Sequence, residues 1–282
     1  MSEAATVGPR IDPRCAGFIW VDRAPSAPRR LSAAQSAQFN ADGAVVLPGL
    51  VDAPAIAALT AELDALEAEL ESTPITLGGE LAYDYARDAI TFVKTPMLRA
   101  PSVRAVLTSP PIVDVARDLL GDSVRLYWDQ AVYKKPGGGP EFPWHQDNGY
   151  TFTEPLAYLT IWVALSDAGE ADGAPWVLPG AHRHGVYRHE RGEWGLEIDG
   201  VGALAAAHPP RALPVRAGDA VVFSSLTPHK TGPNTTSRVR KALIAQYIAD
   251  GARVLGEDGV WRAIDDPNRN PILGGSARGA PA

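Results

Sequence analysis

Apolar residues recur at helical spacing early in the chain and in short alternating runs later, with the change near Gly121. In AIAALTAELDALEAELE, Ile56, Leu59, Leu63, Leu66 and Leu70 form one stripe, with Glu and Asp elsewhere. This pattern predicts an amphipathic helix, started by Asp52 and Pro54. Upstream, Ser32 predicts the cap of a short helix ending near Phe39, NADG turns the chain, and AVVLPGL reads as a first strand. Ser109, followed by Pro110 and Pro111, opens a further helix that Gly121 ends. Beyond it come VRLYWDQAVYKK, YLTIWVALSD, PWVLPGAH, RALPVRAGD, AVVFSSL and RKALIAQYIAD, short β-branched or aromatic segments separated by Gly and Pro. They predict a sandwich or barrel, so the chain is mainly β with flanking α-helices. Neither an internal repeat nor a separating linker is visible, which predicts one domain over 31–265. Residues 1–30, rich in Pro, Arg and Ala, read as a flexible arm, and 266–282 as a flexible Gly/Ala/Pro tail.

Composition narrows the function classes. The 282 residues are 45% hydrophobic, enough for a sizeable core. A net charge of -7 disfavours a nucleic-acid partner, because phosphate binding needs a basic face. No run approaches the roughly 20 apolar residues of a membrane span, and the first residues lack the apolar stretch of a signal peptide. Cys15, the one cysteine, forms no internal disulfide and fits a reducing compartment. These features predict a cytoplasmic protein that does not bind membranes.

The candidate chemistry begins in FPWHQDNGY. In an extended segment residues i and i+2 share a face, so His145 and Asp147 project together and Gln146 points away. His229, at the end of an apolar strand before a Gly-Pro turn, offers a third ligand. Two histidines and a carboxylate on one side of a metal form the facial triad of non-haem iron oxygenases, while the same ligands also suit Zn²⁺. Farther along, Arg240, Ala242, Ile244 and Gln246 share one strand face. An inward arginine is costly unless it meets an anion, and its planar fork suits a carboxylate. A dicarboxylic cosubstrate bridging metal and Arg240 fits, as does an internal Arg–Asp pair, and Arg238 could share the face.

HQD, DGAPWVLPGAHRHG, and His229 followed by GPNTTSRVR resemble the phytanoyl-CoA dioxygenase family of Fe(II)/2-oxoglutarate oxygenases, as does the earlier LSAAQSAQFNADGAVVLPGLVD. The resemblance runs over residues 31–250. It implies a double-stranded β-helix (jelly-roll) core and makes His145, Asp147 and His229 the Fe(II) ligands. Arg240 then holds the far carboxylate of 2-oxoglutarate. Trp162 and Thr231 match positions at the cosubstrate, as do Lys94 and Gln130 through weaker motifs. Trp162 also alternates with Tyr158 and Thr160, as a pocket wall would. The implied reaction uses O₂, with ascorbate as the in vitro reductant, to oxidise a C–H bond of a small-molecule metabolite in a biosynthetic setting, with hydroxylation as the default outcome and desaturation or ring formation open to the same protein groups.

The stretch Arg183–Arg211 departs from the family pattern and is expected over the site mouth, with Trp144, Tyr150, Phe152 and Trp194 as its aromatics. His182, His184 and His189 read as solvated and His208 as a loop residue. Lys94 reads equally as a surface lysine. Two other classes use the same residues: a zinc hydrolase activating water, and a metal-free jelly-roll binding protein whose histidines make structural hydrogen bonds.

Overall fold

The computed structural model describes residues 8–23, 25, 27–72, 76–77, 80–81 and 89–274. Helix α1, Ala33–Asp42, starts at a capping box in which the Ser32 hydroxyl accepts from Gln35 N–H and the Gln35 side chain accepts from Ser32 N–H. It stops at Gly43, whose φ of 78° is left-handed, and the chain enters β1, Ala44–Leu47. Helix α2, Ala53–Ser72, carries the leucine stripe inward: Leu59 and Leu63 are fully buried. Strand β2, Ile90–Lys94, precedes α3, Pro101–Leu107, and α4, Pro110–Leu120. The expected cap at Ser109 is not made; its hydroxyl donates back to Val106 O, and proline alone marks the start of α4.

The later segments form β3 (Val124–Lys134), β4 (Phe142–His145), β5 (Leu159–Ala164), β6 (Pro175–Val177), β7 (His189–Gly192) and β8 (Gly195–Ile198). Then come β9 (Arg211–Ala212), β10 (Ala220–Ser224), β11 (His229–Thr231), β12 (Arg240–Ala249) and β13 (Ile272–Leu273). The larger sheet runs β1-β10-β5-β12-β3, with β2 and β13 sharing the free edge of β3; the smaller runs β9-β6-β11-β4. Every pairing in both is antiparallel. This is the jelly roll.

Both faces of the larger sheet are covered, which is why all six residues of β5 are buried. One face presents Leu159, Ile161, Val163, Leu243, Ala245 and Tyr247 to the helical leucines. The other presents Trp162, Ala164, Ala242 and Phe223 towards the smaller sheet, packed with Val177 and Leu213. Register then sets four level rows on this inner face. Arg240 lies opposite Lys134 and Lys134 opposite Ile90; Ala164, Ala242, Val132 and Phe92 form the next row, Trp162, Ile244, Gln130 and Lys94 the third, and Thr160, Gln246 and Trp128 the fourth.

Residues 1–7, 24 and 26 of the expected arm and 275–282 of the expected tail lie outside the described residues. Where described, both ends lie against the body. Asp12 N–H donates to Val186 O at 2.8 Å, and Cys15 is buried among Phe152, Val186 and Leu226. Ile272 and Leu273 pair with Arg125 and Val124. One apolar residue at each end finds a place to bury, which composition without periodicity does not signal.

Gly43 ties helix to strand where a side chain has no room. A Cβ there would lie 2.5 Å from His182 Nδ1 and from Thr227 Oγ1. Gly43→Ala is expected to lose more than about 1–2 kcal/mol, the left-handed backbone cost alone, in urea unfolding. A loss within about 0.5 kcal/mol, the range of an ordinary surface substitution, would contradict that packing.

Candidate metal centre and cavity

Strands β4 and β11 place the two histidines directly across from each other. His145 and His229 are register partners, with ring centroids 4.1 Å apart. Each ring is oriented by its own chain: His145 Nδ1 lies 2.8 Å from Pro143 O and His229 Nδ1 3.0 Å from Thr227 O. A carbonyl can only accept, so each Nδ1 carries the proton and each Nε2 is left with a lone pair. Extended backbone at Gln146 (φ -116°, ψ 142°) then brings Asp147 round to the same side, as the alternation predicts. Asp147 Oδ1 is 3.9 Å from His145 Nε2 and 3.7 Å from His229 Nε2. The other carboxylate oxygen accepts from the Thr160 hydroxyl at 2.5 Å, and Gln246 Nε2 reaches that hydroxyl at 3.4 Å.

Burial holds both imidazoles neutral, with pKa values pushed down to about 3 for His145 and about 4 for His229; the His229 ring adds to the effect at His145. Burial also raises the pKa of Asp147. Two bare lone pairs and a carboxylate, all within 4.8 Å of one another, therefore converge on one point. This donor set fits a divalent cation, and its remaining side is open to the cavity.

That cavity, about 420 Å³, lies between the two sheets. His145, Asp147, His229, Arg240, Trp162, Thr231, Lys94 and Gln130 all line it. Arg240 is only 2% exposed, and none of its three guanidinium nitrogens has a hydrogen-bond partner. The Trp162 ring lies 5.3 Å from its guanidinium carbon. The alternative of an internal ion pair falls to its neighbour: Arg238 points outward and binds Asp172 at 3.0 Å. Beside Arg240, Lys134 donates to the carbonyls of Thr231, at 2.9 Å, and Gly232. Burial, then the nearby Arg240 charge, push its pKa down to about 6. The end of the cavity facing away from the metal ligands thus holds a buried guanidinium and a buried lysine, and no carboxylate among the described residues.

Several expectations need correction. Among the residues 183–211, none lines the cavity. Strands β7 and β8 form a hairpin that packs behind β4, where the Tyr150 hydroxyl accepts from Leu196 N–H at 2.9 Å. Of the four expected mouth aromatics, only Tyr150 reaches the cavity. Trp144 packs with Leu178, Tyr187 and Ile198, and Phe152 with Cys15. His182 is wholly buried, edge-on to Trp20 with centroids 4.4 Å apart, and His189 is half-buried; only His184 of that trio is exposed. Phe92, Tyr127, Trp128, Phe142 and Lys134 line the cavity and were missed. For Trp128 and Lys134 the signal was present, since both alternate with Gln130 along β3.

Fold and site together define a jelly-roll protein with an open two-histidine, one-carboxylate centre. The chain belongs to the phytanoyl-CoA dioxygenase (PhyH) family, whose model matches residues 39–242. It is 32% identical over 152 residues to the methylphosphonate hydroxylase of Gimesia maris, a match covering 52% of this chain and 54% of that one. It is 28% identical over 134 residues to a phytanoyl-CoA dioxygenase of Arabidopsis thaliana, covering 47% of each. The match thus spans about half the length of each relative. Among solved structures, the epimerase SnoN in complex with Fe3+, alpha-ketoglutarate and nogalamycin RO superposes with a TM-score of 0.69. The identity is 25%, over 85% of this chain and 97% of that one.

The neutral histidines give the metal-free protein a defined acid sensitivity. His145, His182, His189 and His229 have folded pKa values of about 3, 4, 4 and 4, below the ordinary 6.5. As pH falls through 6.5 the unfolded chain takes up protons that the folded chain refuses, so stability is lost, at about 1.4 kcal/mol per proton per pH unit. Asp129, raised to about 6 by burial, and Asp147, also raised, offset part of this. The expected result is a urea midpoint that falls steadily on acidification from about pH 6.5 to about 4, the span between the ordinary and folded histidine values. A flat midpoint across that window would show these rings are free to protonate in the folded state.

Proposed function

We propose that the chain is an Fe(II)/2-oxoglutarate-dependent dioxygenase that hydroxylates a C–H bond of a small molecule. The reaction consumes O₂ and 2-oxoglutarate and releases succinate and CO₂, one oxygen atom going to the product and one to succinate. The observation that carries this reading is Arg240: a buried guanidinium without a partner, opening on the same cavity as the metal-ligand set. A dianion with a chelating end and a distant carboxylate satisfies both at once.

His145, Asp147 and His229 would hold Fe(II), which supplies O₂ activation and the oxidising equivalents for C–H cleavage. Arg240 binds the far carboxylate through its fork, over the Trp162 face. Thr231, Gln130 and Lys94 border the same space and are assigned cosubstrate contacts. Tyr127, Trp128 and Tyr158 wall the end beyond Gln246 and orient the substrate carbon while limiting water. A zinc hydrolase would need the three ligands but leave Arg240 without purpose, and a metal-free binding protein would leave both without one. The methylphosphonate hydroxylase likeness supports hydroxylation of a small molecule, and the SnoN likeness supports a site that holds iron, 2-oxoglutarate and a small molecule. No helix among the described residues is long and apolar enough to cross a membrane. With the acidic net charge and free Cys15, this supports a cytoplasmic enzyme of small-molecule biosynthesis that binds no nucleic acid.

Purified protein with Fe(II), 2-oxoglutarate, ascorbate and air is expected to form succinate, while His145→Ala, Asp147→Ala and His229→Ala each abolish it and keep the native circular dichroism. Full turnover in any one variant would remove that residue from the ligand set. Hydrolytic activity with Zn²⁺ and no succinate would replace the reading altogether.

A further inference from the structure

The segment that matches no expected pattern, Arg183–Arg211, makes a specific contact with the backbone between the two metal ligands. Gln146 separates His145 from Asp147, and each of its polar groups is held. Its side-chain amide donates to Gly185 O at 2.8 Å and Leu226 O at 2.6 Å, and its side-chain oxygen accepts from Tyr187 N–H at 2.7 Å. Its carbonyl accepts from Gly149 N–H at 2.9 Å. The remaining group, its backbone N–H, donates to His189 Nε2 at 3.0 Å.

That last bond selects one form of His189. The amide can only donate, so Nε2 must be bare, and Nδ1 carries the proton towards Tyr187 O, 2.8 Å away. The ring is also wedged. A Cβ at Gly149 would meet three of its atoms, the nearest at 2.6 Å, so glycine two residues past Asp147 leaves the space that the imidazole fills. Meanwhile Leu226, the other end of the Gln146 clamp, lies three residues before His229. Contacts from behind thus reach the residue between His145 and Asp147 and, through it, the chain leading into His229.

We propose that His189 is a positioning residue for the metal centre: its neutral imidazole, by accepting the Gln146 amide, sets the angle at which His145 and Asp147 present their donor atoms. The proposal rests on the three-ligand reading given above. A partner outside the ligand set that orients it commonly changes metal affinity 10–100-fold. Removing His189 leaves the Gln146 N–H without an acceptor and frees the turn between the ligands to relax.

Co(II) titration by calorimetry, with the electronic absorption of the bound Co(II), tests this at neutral pH. His189→Ala is expected to weaken Co(II) binding about 10–100-fold and change the ligand-field bands. His189→Gln, which can place an acceptor where Nε2 stood, is expected to recover most of both. Gly149→Ala, which displaces the ring without removing it, is expected to act in the direction of His189→Ala, and it decides the matter if His189→Ala fails to fold. Wild-type affinity and bands in folded His189→Ala or Gly149→Ala would overturn the positioning role and leave the three ligands standing. Failure of the wild-type protein to bind Co(II) would instead overturn the three-ligand reading.

Discussion

A positive charge sealed in the protein interior without a counter-ion is the constraint around which this structure is arranged. Leaving one buried polar group unsatisfied costs about 1–3 kcal/mol, and more for a charged one. Arg240 leaves three nitrogens in that condition, beside a buried lysine, Lys134. Nothing about the strand requires arginine there: Ala242, on the same face one row on, packs into an ordinary apolar cluster. The register that lines Arg240 up with Lys134 and Ile90 also lines up Trp162 with Gln130 and Lys94, so one sheet face carries the whole anion-facing wall.

The smaller sheet supplies the complementary half. Pairing β4 with β11 puts two imidazoles directly across from each other, and local carbonyls orient both so that their ring nitrogens converge on the side of the Asp147 carboxylate. The two halves have opposite electrostatic needs. One lacks an anion and the other a cation, and both open on the same 420 Å³ space. A metal with a chelating dianion would answer both, with its positive part at the triad and its free carboxylate at Arg240.

Much of this was legible along the chain because strand alternation is a strict rule. The shared face of His145 and Asp147, the opposite face of Gln146, and the inward aim of Arg240 all follow from counting by twos. The same count puts Trp144 on the far side from His145, whereas Phe142 reaches the cavity because the register of β4 with β11 shifts between His229 and Thr231. Phe152 escaped because the short helix Asp147–Tyr150 breaks the alternation after Asp147. His182 and His189 depend on contacts remote in sequence, with Trp20 for the first and Gln146 for the second. No local pattern encodes such contacts, and a Gly- and Arg-rich surrounding looks solvated until the fold closes over it.

The most direct test of the central claim is the unfolding free energy of the metal-free, ligand-free protein with Arg240→Met. If the guanidinium is an unpaired buried charge kept for an absent anion, an apolar side chain of similar length removes a cost. The variant should then be at least as stable as the wild type in urea, by a margin on the order of 1–3 kcal/mol. A variant less stable by about 3–5 kcal/mol, the signature of breaking a buried ion pair, would show that Arg240 already has a partner and is part of the scaffold.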